Sequence, residues 1–179
     1  MNRIDGKVAV ITGGTQGLGA AIANLFAEAG ALGIVIVGRD QKKGETVASK
    51  ISRTYRVQAK MITADLEKIE DVQRIIAETD TIFGRVDILV NSAGLTDRGN
   101  ILDTNPDLFN RMIAVNTRAP FFLIQDAAKI MIRENIEGRI VNIGSMSEQA
   151  GQPFLCPYST SKGAPVSYTH LRAHETRRY

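Results

Sequence analysis

Apolar and polar positions along the chain follow two periods. Val8 to Thr12, Ile34 to Val37, Lys60 to Ala64, Val86 to Val90 and Arg139 to Ile143 are short runs rich in apolar and β-branched residues. Such runs, bounded by Gly, Asn and Asp, suit strands of a sheet buried on both faces. Between them apolar residues return at helical spacing. Leu18, Ile22, Leu25, Phe26 and Ala29 make a stripe on a first helix, a charged helix runs from about Gln41 to Tyr55, and Val72, Ile75, Ile76 and Ile82 or Phe83 mark the inward face of a third. The fourth strand ends at Asn91. A long helix is predicted to follow, with Thr104 or Asn105 as N-cap and Pro106 at its first position, running to about Glu134. Pro120 falls inside it, so a bend or local break is expected there. A loop from Gly144 to Pro157 leads to a last helix carrying Tyr158. Strands and helices in alternation predict an α/β fold, a parallel sheet with helices on both faces. No internal repeat, low-complexity segment or second domain interrupts the pattern.

A chain of 179 residues suffices for one domain with a substantial core. Its single cysteine, Cys156, excludes an internal disulfide framework and cannot alone make a metal site, so a reducing compartment is expected. The N-terminus has no apolar segment behind a basic one, and no run approaches the roughly 20 apolar residues of a membrane span. A cytoplasmic protein is the simplest expectation. The isoelectric point near 9.1 suggests a polyanionic partner at first sight. Two of the three net positive charges, however, lie in Pro165 to Tyr179. The remainder is nearly neutral, so neither nucleic acid nor a membrane surface is expected as a partner. His170 and His174 also sit in that tail, with no further ligand cluster, and no metal site is expected.

Candidate chemistry lies at three places. Thr12-Gly13-Gly14-Thr15-Gln16-Gly17-Leu18-Gly19 stands between the first strand and the first helix. Glycines there permit a tight turn and close approach of backbone to a pyrophosphate, which the helix N-terminus would attract with free N–H groups and its dipole. Asn91-Ser92-Ala93-Gly94 follows the fourth strand. Tyr158 and Lys162 lie four residues apart, thirteen residues beyond Ser145. On a helix that spacing places a phenol and an ammonium on one face. An ammonium about 4 Å from a phenolate is worth on the order of 4 kcal/mol at an effective dielectric near 20, roughly 3 pKa units before desolvation opposes it. Each residue alone also has an ordinary reading: a serine after a strand caps, an asparagine on a helix satisfies backbone, and Tyr with Lys at this spacing is a common surface pair.

Taken together, the TGxxxGxG loop, the Asn-Ser-Ala-Gly segment, Ser145 and the YxxxK pair resemble the short-chain dehydrogenase/reductase family over residues 4 to about 164. The resemblance implies a doubly wound Rossmann-type domain over 1–164 that interconverts an alcohol with a ketone or aldehyde by hydride transfer to or from NAD(P). It implies a small-molecule substrate and a homo-oligomeric parent enzyme. Tyr158 would be the general acid and base, Ser145 would hydrogen-bond the substrate oxygen, Lys162 would lower the tyrosine pKa and hold the nicotinamide ribose, and Asn116 would fix a water in a proton relay. Tyr158 and Lys162 would thus also touch the cofactor. Gly13, Thr15, Gln16, Gly17, Leu18 and Gly19 would hold the pyrophosphate. Asp65 and Leu66 would border the adenine, and Asn91, Ala93 and Gly94 the adenosine side of the cleft. Gly38 stands where the family's NAD-type enzymes carry an acid, with Arg39 beside it, so NADP is favoured; a shift of one residue would bring Asp40 to the site and NAD with it. Met146, Ser147, Gln149, Gln152, Phe154 and Cys156 share the loop before Tyr158 and are candidates to shape the substrate pocket.

Beyond Ala164 the family continues its helix through apolar residues and then adds further strands and a substrate-covering segment. Pro165 stands here instead, at a cost of about 3 kcal/mol or more inside a helix, and is expected to interrupt it. The residues from Pro165 to Tyr179 resemble the in-frame translation of a sequencing adapter, so 165–179 is expected to be an artefactual tail. The C-terminal strands and the substrate-covering segment would then be missing, the fifth strand would be an exposed edge, and the chain would be poorly soluble and inactive. The alternatives are a non-catalytic dinucleotide-binding module and a truncated product without function.

Overall fold

The computed structural model describes residues 3–150 and 152–175, with side chains described as far as Tyr168. Its elements run β1 (Val8–Thr12), α1 (Gly17–Glu28), β2 (Gly33–Gly38), α2 (Gln41–Tyr55), β3 (Gln58–Thr63), α3 (Ile69–Phe83), β4 (Ile88–Asn91), α4 (Pro106–Ile113), a π-helical segment (Ala114–Arg118), α5 (Ala119–Arg133), β5 (Arg139–Asn142), a 3-10 turn (Met146–Glu148) and α6 (Cys156–Glu175). The strands form one parallel sheet in the order β3-β2-β1-β4-β5. The chain thus winds outward from β1 in one direction, returns, and winds outward in the other. Between β1 and β4 the direction reverses, and the loops beyond the carboxyl ends of these two strands diverge to leave a cleft.

Alternate side chains of the strands feed two cores. Val10, Val35, Val37 and Ile62 pack with Val72, Ile75 and Ile76 of α3 and Leu123, Ala127 and Met131 of α5. Ala9, Ile11, Ile34 and Ile36 face the other way, onto Ala23 and Ala27 of α1 and Ala48 and Ile51 of α2. Burial on both faces explains why β1 and β2 are apolar almost throughout. In α1 the expected stripe holds in part: Ile22 and Phe26 pack on the core and Ala29 is buried, but Gly19, Ala23 and Ala27 are buried as well while Leu18 and Leu25 are more than half exposed. Small residues let α1 lie close to the sheet, and close packing decided the inward face over side-chain hydrophobicity. In α3, Phe83 rather than Ile82 packs against the core.

The long helix does break near Pro120, as a π segment. The Ala119 N–H reaches back to the Ala114 carbonyl, five residues away, a widened turn of the kind frequent at functional sites. Pro120 has no N–H to offer the Asn116 carbonyl, so the regular ladder could not have continued there. Asn105 caps α4 by accepting from the Leu108 N–H at 2.8 Å, with Pro106 at the first position.

The interruption expected at Pro165 does not occur. α6 runs through it to Glu175. The carbonyl that the proline leaves without a helical donor is that of Ser161, and the Thr117 hydroxyl donates to it at 2.8 Å. Tyr168, one turn further on, packs edge-on against Phe121, with ring centroids 5.7 Å apart. β5 is the edge strand expected, with Val141 43% exposed. None of the described helices is long and apolar enough to cross a membrane.

At the opposite end of the sheet from the cleft, Asp87 is almost fully buried and pins three groups. Its carboxylate accepts from the Val8 N–H at 2.9 Å, from Arg85 at 2.7 and 2.8 Å, and from Lys7 at 3.2 Å. Burial alone would raise its pKa, but the hydrogen bonds from Arg85, Val8 and Lys7 outweigh that and hold it below the usual carboxylate range. A depressed pKa contributes stability that is present above the unfolded value near 4 and is lost as pH falls through the folded value. Asp87→Ala is therefore expected to cost about 3 kcal/mol at pH 7, roughly a 10 °C lower Tm, with the gap to the parent chain closing below about pH 4. Thermal melts across pH check both the size and the closing.

Candidate active site

The cleft, of about 370 Å³, is walled by the β1–α1 loop, the ends of β2 and β3, and the segment after β4. Gly13, Thr15, Gln16, Gly17, Leu18, Gly19, Arg39, Asp65, Leu66, Ala93 and Gly94 all line it. Val37, Ala64, Glu67, Ser92, Leu95 and Val115 line it too and carried no separate signal in the sequence, because strand-end and loop residues are exposed to a cleft only through topology. Asn91 does not reach the cleft; it is buried beneath it, and its amide donates to Asn142 Oδ1 at 2.8 Å.

Backbone proximity shapes the phosphate end. A Cβ at Gly13 would stand 2.9 Å from Ala93 Cα, and one at Gly19 would overlap the Gly13 carbonyl. Gly17 has φ +53°, in the left-handed region. Gln16 precedes α1 in extended conformation with no side-chain cap, and the first turn of α1 carries no acid. Its leading N–H groups and positive dipole end therefore face the cleft without a competing carboxylate, a fit for pyrophosphate.

Gly38 pairs with Thr63 as the last residue of the strand, and a Cβ there would press on the Thr15 side chain. Arg39 is exposed and lines the cleft. Asp40 is spent as the N-cap of α2, accepting from the Lys43 N–H at 3.0 Å. No acid stands at the cleft's β2 wall.

Asn116, Ser145, Tyr158 and Lys162 are not among the residues that line this cleft. Lys162 is buried, and its ammonium donates to the Ile143 carbonyl at 2.8 Å. A Cβ on Gly94 would lie 3.6 Å from Lys162 Nζ and 3.6 Å from Asn116 Oδ1. Lys162 thus lies behind Gly94, which itself lines the cleft. Burial pushes its pKa down, partly opposed by the charge of Glu148. Tyr158 is half-buried one turn earlier on α6. Ser145 caps the 3-10 turn: its hydroxyl lies 2.8 Å from that of Ser147, and Glu148 accepts from its N–H at 3.2 Å. Glu148 is a charged group near the site that the spacing of motifs did not single out. Asn116, in the π segment, has both amide hydrogens engaged, with Leu95 O at 2.8 Å and Ser161 Oγ at 2.9 Å, while its oxygen accepts from Leu95 N at 2.8 Å. Its side chain thus satisfies backbone groups of Leu95 and the Ser161 hydroxyl. Cys156 is a free thiol, partly exposed, at the start of α6. Among the described residues no His, Cys, Asp and Glu cluster could hold a metal; the side chains of His170 and His174 lie outside them.

A model of the short chain dehydrogenase family matches residues 7–179. The chain belongs to the short-chain dehydrogenase/reductase family. An uncharacterized oxidoreductase of Thermotoga maritima is 36% identical over 176 residues, covering 98% of this chain and 68% of the relative. A metagenomic short-chain oxidoreductase solved in complex with NADP superposes with a TM-score of 0.90 at 31% identity, covering 97% of this chain and 78% of the other. NAD+-bound xylitol dehydrogenase superposes with a TM-score of 0.88 at 30% identity, covering 96% and 65%.

The glycines can be told apart experimentally. Gly19→Ala forces backbone against backbone and is expected to weaken NADPH binding more than about tenfold, whereas Gly17→Ala meets open space and costs only the left-handed strain of about 1 kcal/mol. Fluorescence titration of NADPH reads the order; equal losses would contradict the geometry.

Proposed function

We propose that the chain is the dinucleotide-binding part of an NADP-dependent oxidoreductase that interconverts a small alcohol and its ketone or aldehyde. The observation that carries this reading is the approach of Lys162 Nζ to Gly94, which joins the YxxxK pair of α6 to the nucleotide cleft. The bound dinucleotide supplies or accepts the hydride at the substrate carbon. In the reductive direction the Tyr158 phenol gives its proton to the developing alkoxide, and the Ser145 hydroxyl, turned from Ser147, donates to the same oxygen. Lys162 exchanges its bond to the Ile143 carbonyl for, or shares it with, the nicotinamide ribose. Asn116 acts by holding the loop at Leu95 and the turn at Ser161. The protein is placed in the cytoplasm, acts on a small molecule rather than on nucleic acid or membrane, and descends from a homo-oligomeric enzyme. Residues 165–179 are read as a translated adapter following family sequence; resequencing the coding locus tests this, and a native stop after Tyr179 would refute it.

NADP is preferred to NAD because Arg39 is the charged residue from the end of β2 that lines the cleft and Asp40 caps α2. Arg39→Ser is expected to weaken NADPH binding by roughly tenfold or more and leave NADH within about twofold. Equal weakening of both would remove the assignment. For the chemistry, the purified chain is mixed with NADPH and a panel of carbonyl compounds and followed at the nicotinamide absorbance. Turnover lost in Tyr158→Phe, and reduced at least about tenfold in Lys162→Arg, supports the reductase. Protection against unfolding by NADPH without turnover favours the dinucleotide-binding module, and neither effect sinks both.

A further inference from the structure

The turn after β3 gives Ala64, Asp65, Leu66 and Glu67 to one wall of the cleft. Three of its N–H groups are bonded within the turn or to the start of α3. Asp65 donates to Asp71 Oδ2 at 2.8 Å, Glu67 to Asp65 Oδ1 at 3.1 Å, and Lys68 to the Asp65 carbonyl at 2.9 Å. The Glu67 carbonyl is held from elsewhere: Arg118 Nη2, at the end of the π segment, donates to it at 2.6 Å. Arg118 itself does not line the cleft, and its Nε is buried without a hydrogen-bond partner among the described residues. A buried N–H left unpaired is costly, so the guanidinium is fixed by its bond to Glu67 and not by being satisfied where it lies. Two residues earlier, Asn116 is bonded to both backbone groups of Leu95, on the wall after β4. Between them Asn116 and Arg118 tie two walls of the cleft to one segment of five residues. Arg111 also meets Glu67, at the carboxylate and 3.3 Å away, but that ion pair is partly exposed and worth little.

We propose that Arg118 is a positioning residue for dinucleotide binding: by gripping the Glu67 carbonyl it fixes the wall after β3 relative to the wall after β4, and with it the width of the cleft between them. The proposal rests on the dinucleotide reading above, which places adenosine beside Asp65 and Leu66. Arg118 acts through the backbone of Glu67 and touches no ligand. A turn whose carbonyl loses its donor is free to open, and its internal N–H bonds open with it. The cleft would then have to be closed again at the expense of binding, whichever dinucleotide enters. Arg39 differs in this respect, since its side chain lines the cleft and its effect falls on NADPH alone.

The test uses the full chain, titrated with NADPH and with NADH by fluorescence, and amide hydrogen exchange measured without dinucleotide. Arg118→Met keeps the stem and removes the donors. It is expected to weaken NADPH and NADH by the same factor, roughly tenfold, and to speed exchange of the Asp65, Glu67 and Lys68 N–H groups while β1 and β4 keep the parent rates. Arg118→Lys keeps the charge but not the planar fork, and is expected to lose about threefold for both dinucleotides. Arg111→Ala leaves the backbone bond in place and should stay within about twofold. A long-range effect of charge on the anionic ligand would instead spare the Lys variant and penalise NADPH more than NADH. A packing role would speed exchange throughout the sheet. Either of those patterns, or parent affinity in Arg118→Met, would overturn the proposal. Should Arg118→Met fail to fold, Arg118→Lys decides: equal weakening of both dinucleotides with faster exchange confined to 65–68 supports the proposal, and parent behaviour or exchange spread through the sheet refutes it. If the parent chain binds neither dinucleotide while the exchange changes stay local, the dinucleotide reading falls and the hold on the Glu67 turn stands.

Discussion

The architecture depends on one seam, where the end of β1 meets the segment after β4. Thr12 is buried there, and its hydroxyl oxygen accepts from the Ser92 and Ala93 N–H groups, both at 3.1 Å. One residue later Gly13 passes so close to Ala93 that no side chain fits between the two backbones. These contacts close the reversal point of the sheet from below while leaving its mouth open above. Everything that forms the cleft follows: α1 lies tight on the sheet through Gly19, Ala23 and Ala27, and its free N-terminus is aimed at the opening. A single methyl group at the crossing would separate the strands that define the site.

The chemistry on the far side is set by desolvation. Lys162 is buried, with the Ile143 carbonyl as its hydrogen-bond acceptor, so its charged form is costly, and Glu148 offsets only part of that cost. A buried ammonium of this kind gains from any oxygen brought to it across Gly94. The polar atoms around it are satisfied pairwise: Ser145 with Ser147 and Glu148, and Asn116 with Leu95 and Ser161. Such a network holds its members in place because each broken bond would leave a buried group unpaired. Asp87 applies the same rule at the other end of β1 and β4 to different effect, tying three donors together far from the cleft.

Much of this was legible in the residues alone. The apolar runs of β1 and β2 suited strands covered on both faces, and the alternation of strands with helices predicted a parallel, doubly wound sheet. The glycine loop, the Asn-Ser-Ala-Gly segment and the Tyr158–Lys162 spacing marked the cleft and the site, because local spacing decides which side chains share a helix face and where backbone can approach a ligand. The expectations that failed were those where a local rule met a distant partner. Leu18 and Leu25 turned outward because helix-to-sheet distance, not hydrophobicity, chose the face of α1. Pro165 stayed helical because Thr117, far away in sequence, supplied the donor its turn lacked.

Residue type and spacing by themselves determined the family, the sheet and the identity of the candidate site residues, since these rest on periodicity and on short-range backbone geometry. Only the tertiary structure decided that Asp40 caps α2 while Arg39 lines the cleft, that the Asn116 side chain bonds to Leu95 and Ser161, and that Lys162 Nζ lies against Gly94. Each depends on which of several polar partners lies within about 3 Å once the elements have packed, and hydrogen bonding at that range has no signature in one dimension.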